Sequence, residues 1–473
     1  MNYQKLNEVI SNLADVETTI KILTSQGKEI KIDDLKKQYD PLQHDVFQHS
    51  KRPMRSVKQP DGGFLPEDVT RIGIPMQETI VKKATSFLFG NDVELVCNTE
   101  DPNELKVLNA IKRINKDARI DSLNRTIADY LFMSTQVCEV WYSEEQEEIH
   151  NTYGFNTKIK MRVAVFSPWD GNELFPYFDE YGDLIAFSRR YQITDDEEKK
   201  ILHFEVLTKD QYYIFENNPG NAGGGQWTLI RKTPNPIKKL RVVYATQDKA
   251  EWVNVNASIS RLEFLLSNFG DTNDYNGSPI LFSTGTINSL PGKVSTGKVI
   301  QGDVGSKMEY LSWANAPESI KLEIEKLFQI IHTYTQTPDI SFDNMKSIGA
   351  ISGVALELFF MDAHLKVMDK RRIFDPYLQR RLNIQKEFVI AMNNTLKDAA
   401  RNMDIDCVIK PYMINDLAGK VNILMTATGG KAILSQQSAV GMSGLVDDNG
   451  AEFKIIEEET AKASLVDISE PTF

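Results

Sequence analysis

A chain of 473 residues exceeds what one ordinary hydrophobic core organises, so about two to four structural regions are expected. Apolar residues make up 41% and charged residues 25%, the balance of a folded protein, and no apolar run reaches membrane-spanning length. The formal net charge of −12 argues against an ordinary sequence-specific DNA binder with a basic face, though not against a surface that DNA passes without sticking.

The first twenty residues have no apolar core and predict no secretory signal. Residues 1–60 carry two short helical patterns and then KRPMRSVKQPDGG, which reads as a surface arm. In RIGIPMQETIVKKATSFLFGNDVELV, Ile80, Val81, Ala84, Phe87 and Leu88 recur at helical spacing, Gly90 stops the helix and VELV starts a strand. Residues 103–135 are helical again, with Leu105, Leu108, Ile111 and Ile114 on one face, then Leu123, Ile127, Ala128 and Leu131. From Val137 to Thr246 the segments are short, rich in β-branched and aromatic residues and separated by turns, which predicts a mostly antiparallel sheet region with an aromatic core.

Residues 256–276 form a helix with Ile259, Leu262, Leu265, Leu266 and Phe269 in a stripe. Short strands punctuated by Gly, Pro and Ser fill 280–313, so a strand-loop module is inserted between two helices. Pro317 and Glu318 suit the first turn of the second helix. Its residues Ile320, Ile324, Leu327, Phe328, Ile331 and Tyr334 form a stripe expected to be buried, and Pro338 ends it. A loop of about a dozen residues follows, where compact helix connections use roughly 2–8. Ser352 then caps a helix that runs to Asp375, where Pro376 either kinks it or restarts it with Asp375 as cap, out to about residue 403. The strand DCVIKPYMI and two further helical stretches complete the chain.

Catalytic signatures are missing. There is no complete GxxxxGK[ST], HExxH, GxSxG or CxxC. GKVSTGKV, from Gly292, lacks the magnesium-holding hydroxyl and reads as a turn-rich loop; the glycine run after Asn221 reads as a hairpin turn. His44, His49, His150, His203, His332 and His364 are scattered, and Cys97, Cys138 and Cys407 fit no zinc or redox spacing. The three cysteines read as buried thiols made in a reducing compartment. No enzyme activity, cofactor or metal is expected.

Four segments resemble one family, the portal proteins of tailed double-stranded DNA bacteriophages, in particular the subfamily from phages of Gram-positive hosts. They are RIGIPMQETIVKKATSFLFGNDVEL, FSPWDGNELFPYFDEYGDLIAFSRRY, QTPDISFDNMKSIGAISGVALEL and ILSQQSAVGMSGLVDDNGAEFKIIEEE, and the Ser-Gly-x-Ala-Leu ending of the third is the most specific. KKLRVVYAT departs from the family's usual Gly-x-Ile-Pro-Val-Val before the first stem helix. The resemblance implies an α+β portal fold: an N-terminal arm (1–60), a mixed α/β wing (61–250), a stem helix (251–279), a clip (280–313), a second stem helix (314–337), a tunnel loop (338–351), a long kinked wing helix (352–405) and a helical crown (406–473).

It also implies a non-enzymatic homo-oligomeric ring, dodecameric at one vertex of the virion capsid and made in the host bacterial cytoplasm, with no membrane contact. Its implied partners are the terminase large subunit, a head-completion or adaptor protein, the major capsid and scaffold proteins, and double-stranded DNA passing without sequence specificity. Asp339, Ser341, Phe342, Asp343, Asn344, Met345, Lys346 and Ser347 would then face the DNA channel. Phe342 and Met345 would make soft contacts, Lys346 would touch phosphate, and the two aspartates would prevent tight binding. Gly349, Ser352, Gly353 and Pro376 would be hinge or cap positions, and Lys293, Lys298 and Lys307 would dock partners at the clip. The alternative is another virion structural protein, a head–tail connector or minor capsid protein.

Overall fold

The structure, a computed structural model, describes the chain except residues 1, 13–14, 60, 195–197, 218–225, 278–279, 286, 290–300, 312–316, 340–357, 413–416, 430–431, 447–448 and 468–473. The chain divides into two units, residues 1–338 with 362–412 and residues 339–361 with 413–473.

The first unit begins with helices α1 (Tyr3–Ser11), α2 (Val16–Thr24) and α3 (Ile32–Tyr39). The side chains of Asn2 and Asp15 cap α1 and α2 by accepting the N–H groups of Lys5 and Thr18. A hairpin of β1 (Arg55–Lys58) and β2 (Phe64–Glu67) follows, then α4 (Met76–Phe89), β3 (Glu94–Val96), α5 (Pro102–Asp117) and α6 (Ile120–Ser134). Asp101 caps α5 ahead of Pro102, whose missing N–H costs nothing in the first turn.

Eight strands come next: β4 (Gln136–His150), β5 (Thr157–Phe166), β6 (Glu173–Phe178), β7 (Leu184–Thr194), β8 (Lys200–Thr208), β9 (Gln211–Asn217), β10 (Trp227–Pro234) and β11 (Val242–Thr246). They pair antiparallel in two sheets, ordered β10-β9-β8-β7-β6 and β11-β4-β5. Alternation of side chains sorts each strand between two cores. Ala186, Phe204, Val206, Tyr213 and Phe215 face Leu6, Ile10, Ile20 and Leu23 of α1 and α2. Phe187 and Leu207, one residue out of phase, face Cys138, Val140 and Val242 of the smaller sheet. The expected surface arm is therefore corrected. Its first helices cover one face of the larger sheet, because their few apolar residues fall on a single side.

Helix α7 (Asn256–Gly277) leads into β12 (Ile280–Thr284), β13 (Ile287–Ser289), β14 (Gln301–Gly302) and β15 (Lys307–Leu311), and α8 (Pro317–Thr335) returns. The long helix α9 (Met361–Met392) is followed by a single 3-10 turn (Asn394–Leu396), α10 (Lys397–Asn402) and β16 (Asp406–Val408), which pairs antiparallel with β3. Helix α9 runs unbroken through Pro376, so of the two alternatives there the restart at Asp375 does not occur, and it ends at Met392, about eleven residues short of the expected 403. Pro376 lies on its exposed side, where the one carbonyl it leaves without a helical partner can reach water.

Arg381 of α9 and Glu139 of β4 form a fully buried ion pair: Nε lies 2.8 and 3.0 Å from the two carboxylate oxygens and Nη2 2.5 Å from Oε2. The Tyr377 hydroxyl and the Trp141 indole N–H also donate to Glu139, and Arg381 Nη1 donates to Asn124 Oδ1 of α6 at 2.7 Å.

The second unit contains α11 (Leu417–Thr428), α12 (Gln436–Ser443) and α13 (Asn449–Asp467). Ser435 caps α12, and Gly444, at φ 70°, ends it in the left-handed conformation that glycine adopts without strain.

Arg381→Met is expected to destabilise the chain by about 3–5 kcal/mol in urea unfolding, because it strands a buried carboxylate. The double variant Glu139→Leu/Arg381→Met should recover most of that loss; equal losses would mean that packing, and not charge, sets the cost.

Candidate functional site: a helix pair and its strand module

Helix α7 carries two functions on its buried side. Ile259, Leu262 and Leu265 supply the apolar stripe. Glu263, Ser267 and Asp271 form a polar row at four-residue intervals and are also buried. Their side-chain oxygens accept the backbone N–H groups of Ile74 (2.8 Å), Ile72 (3.0 Å) and Thr70 (2.7 Å). Four residues of helix rise about 6 Å and two residues of extended chain about 6.6 Å, so the two repeats match. Residues 70–74 thus run antiparallel to α7, bonded to it as a strand is bonded to a sheet edge. Arg52 closes the row, with Nη2 2.5 Å from Asp271, Nη1 2.6 Å from Asn268 and Nε 2.9 Å from the Thr70 carbonyl. A Cβ on Gly270 would lie 2.8 Å from Thr70 Cγ2, so glycine is what permits this approach.

The strand module stands on this helix. β12 and β15 pair from Ile280↔Leu311 to Thr284↔Lys307, and β13 pairs with β14. Gly285, at φ 88°, makes the turn beside Ser306. Lys307 is exposed on β15; Lys293 and Lys298 lie outside the described residues. An Arg261–Glu323 ion pair of 2.7 Å joins α7 to α8. The stripe of α8 departs from expectation. Ile331 is buried, but Ile320, Ile324, Leu327 and Phe328 are only half-buried and Tyr334 is exposed. Helix α8 packs on α7 and on the 3-10 turn Val253–Val255, which together cover only part of its apolar surface.

The C-terminal end of α8 is heavily tied. Gln336 takes φ 52°, the Thr337 N–H returns to the His332 carbonyl at 3.1 Å, and His332 Nδ1 donates to the Thr337 carbonyl at 3.0 Å. Lys366 of α9 donates to the Thr335 carbonyl at 2.9 Å, placing a cation at the negative end of the helix dipole. Lys83 of α4 donates to the Pro338 carbonyl at 3.0 Å. Glu251 pairs with Lys366 at 2.8 Å and Lys370 at 2.5 Å, beside a cavity of about 600 Å³. Burial opposes charge on Glu251, yet the two ammonium groups hold its carboxyl below the usual range. Burial pushes Lys366 down and outweighs the pull of Glu251, with the neighbouring Lys370 adding a smaller push in the same direction. Glu251 therefore contributes stability above about pH 4.5 that is lost as pH falls through its lowered value.

Asp339, half-buried, is the last described residue before 340–357. Ser341, Phe342, Asp343, Asn344, Met345, Lys346, Ser347, Gly349, Ser352 and Gly353 lie outside the described residues. Lys83, Glu251, Lys366 and Lys370 were not anticipated. A signal existed for two of them: Lys366 and Lys370 are one turn apart on the side of α9 that buries Ala363, Val367 and Phe374, and charge on an apolar face calls for a partner. Among the described residues no group of three or more His, Cys, Asp or Glu could hold a metal ion, and no helix is long and apolar enough to cross a membrane.

Residues 66–464 match the family described as phage portal protein, SPP1 Gp6-like. The chain belongs to this family: it is a phage portal protein, a structural and non-enzymatic component of the virion. Solved structures give remote likenesses. A chain from the neck of an empty GTA particle, computed with six-fold symmetry, aligns at 11% identity and TM-score 0.43 over 92% of this chain and 100% of that one. A chain from the virion of a native gene transfer agent particle aligns at 11% identity and TM-score 0.35 over 85% and 99%. No match was found among curated proteins.

Gly270→Ala should lower the melting temperature despite alanine's better helix propensity, because Thr70 is held at its N–H by Asp271 and at its hydroxyl by Asp274 and cannot step aside. In a Thr70→Ser background, which lacks the clashing methyl, the same change should be neutral or stabilising in thermal unfolding.

Proposed function

We propose that this portal protein assembles head to tail into a ring, dodecameric at one capsid vertex, whose axial channel passes the genome during packaging and ejection. Family membership over residues 66–464 carries the reading. The incompletely covered stripe of α8 supports it, since a single chain leaves Ile320, Ile324, Leu327 and Phe328 half-buried and a neighbouring copy can cover them. In this reading residues 61–250 are the wing, α7 and α8 the stem, 280–313 the clip, 338–351 the tunnel loop, α9 the wing helix and 406–473 the crown. The clip docks the terminase large subunit during packaging and an adaptor protein afterwards. The major capsid and scaffold proteins surround the ring, and a phage of a Gram-positive host is its source.

At the tunnel loop, Phe342 and Met345 supply contacts blind to base sequence, Lys346 meets phosphate, and Asp339 and Asp343 limit its grip. Gly349, Ser352 and Gly353 give the backbone its freedom there.

Native mass and single-particle symmetry of the purified protein test the ring: a closed ring of about twelve copies with an axial hole is expected, and a monomer or dimer at high concentration in the presence of scaffold would overturn it. Deleting residues 341–347 should impair DNA packaging or retention while rings still form. Replacing Lys293, Lys298 and Lys307 together by Glu should weaken terminase or adaptor docking in pull-down measurements, with ring assembly intact.

A further inference from the structure

His44 sits between the 3-10 turns Pro41–Gln43 and Asp45–Phe47, buried against α7. Both of its ring nitrogens face oxygen acceptors: Nδ1 is 2.6 Å from Glu263 Oε1 and Nε2 is 2.8 Å from the Gln38 carbonyl. A carbonyl only accepts, so Nε2 must carry a proton. Glu263 Oε1 already accepts the Ile74 N–H at 2.8 Å, so a second proton must lie between it and Nδ1. A neutral imidazole facing an ionised Glu263 has one proton too few, and a buried lone pair would then point at a buried oxygen.

We propose that the proton shared by His44 and Glu263 is a clasp that holds the segment from α3 to Phe47 on helix α7, and that its loss loosens that segment.

The surroundings favour the proton. Asp34 and Lys37 from α3, and Asp45 beside His44, line the same cavity of about 310 Å³, together with Glu263 of α7. Asp40 adds a further attraction, while α4 contributes only the uncharged Gln77. Burial by itself lowers the proton affinity of His44, but the Glu263 hydrogen bond and charge outweigh it and raise the pKa above its ordinary 6.5. A folded-state value raised in this way stabilises fully below about pH 6.5 and is lost as pH rises through the raised value. What the clasp holds is more than one contact. Gln38 accepts the Trp252 indole N–H at 3.0 Å, and Tyr39 packs against Trp169 and Trp252. Release therefore uncovers the foot of α7 and one side of Trp252.

The test is hydrogen–deuterium exchange of the full-length protein from pH 6 to 9, corrected for intrinsic exchange, followed on peptides covering residues 32–48. Protection there should fall by up to about tenfold per pH unit across the window above pH 6.5, the signature of one linked proton, while peptides of β7 and β8 stay constant. His44→Gln should exchange fast at every pH with no slope. Glu263→Gln, which keeps the shape and still accepts the Ile74 N–H, should also lose the slope. A flat wild-type profile, or an equal slope in either variant, would falsify the proposal.

Discussion

The buried pair of Glu139 and Arg381 is the interaction on which the larger unit depends. It joins positions 242 residues apart and brings together strand β4, helix α6 through Asn124, and the long helix α9. Such a pair adds little net stability over a well-packed apolar replacement, because desolvating both charges costs about as much as their attraction returns. Its contribution is geometric. A guanidinium that binds one carboxylate through two nitrogens accepts few rotations of the helix that carries it. Tyr377, one turn earlier on the same helix, donates to the same carboxylate and reinforces that setting.

Once α9 is set, its N-terminal half sets the end of α8. Lys366 and Lys370 share Glu251, and Lys366 also reaches the last turn of α8. With Lys83 on Pro338, the C-terminal exit from α8 is fixed by side chains from two other helices. The N-terminal end of the helix pair is held differently, by the row of Glu263, Ser267 and Asp271 bonded to an extended backbone. Both ends of the helix–module–helix unit are thus fastened to the sheet-bearing body by polar groups, and the apolar stripe of α8 is left for other surfaces.

Much of this was legible in the sequence. The short segments from Val137 to Thr246, rich in β-branched and aromatic residues, became the two antiparallel sheets, because strands with such residues on both faces demand a layer on each side. The helix–module–helix order was legible from its Gly and Pro punctuation. The first sixty residues were misjudged, because Leu6, Ile10, Ile20 and Leu23 form too short a pattern to predict the sheet they cover. Of the two readings open at Pro376, a helix carried through or one restarted, the structure has the helix carried through, because α9 packs along its other side.

Local order was determined by the sequence alone: which segments are helix or strand, where turns separate them, the absence of catalytic motifs, and the four segments that resemble portal proteins. Those properties follow from residues near one another in the chain. Only the tertiary structure decided which charges meet. Glu139 with Arg381, Glu251 with Lys366, His44 with Glu263 and Asp271 with Arg52 are all far apart in sequence. A charged residue carries no local mark of its partner, since the same lysine or glutamate is equally content in water. Only a folded chain that removes the water makes the partner necessary.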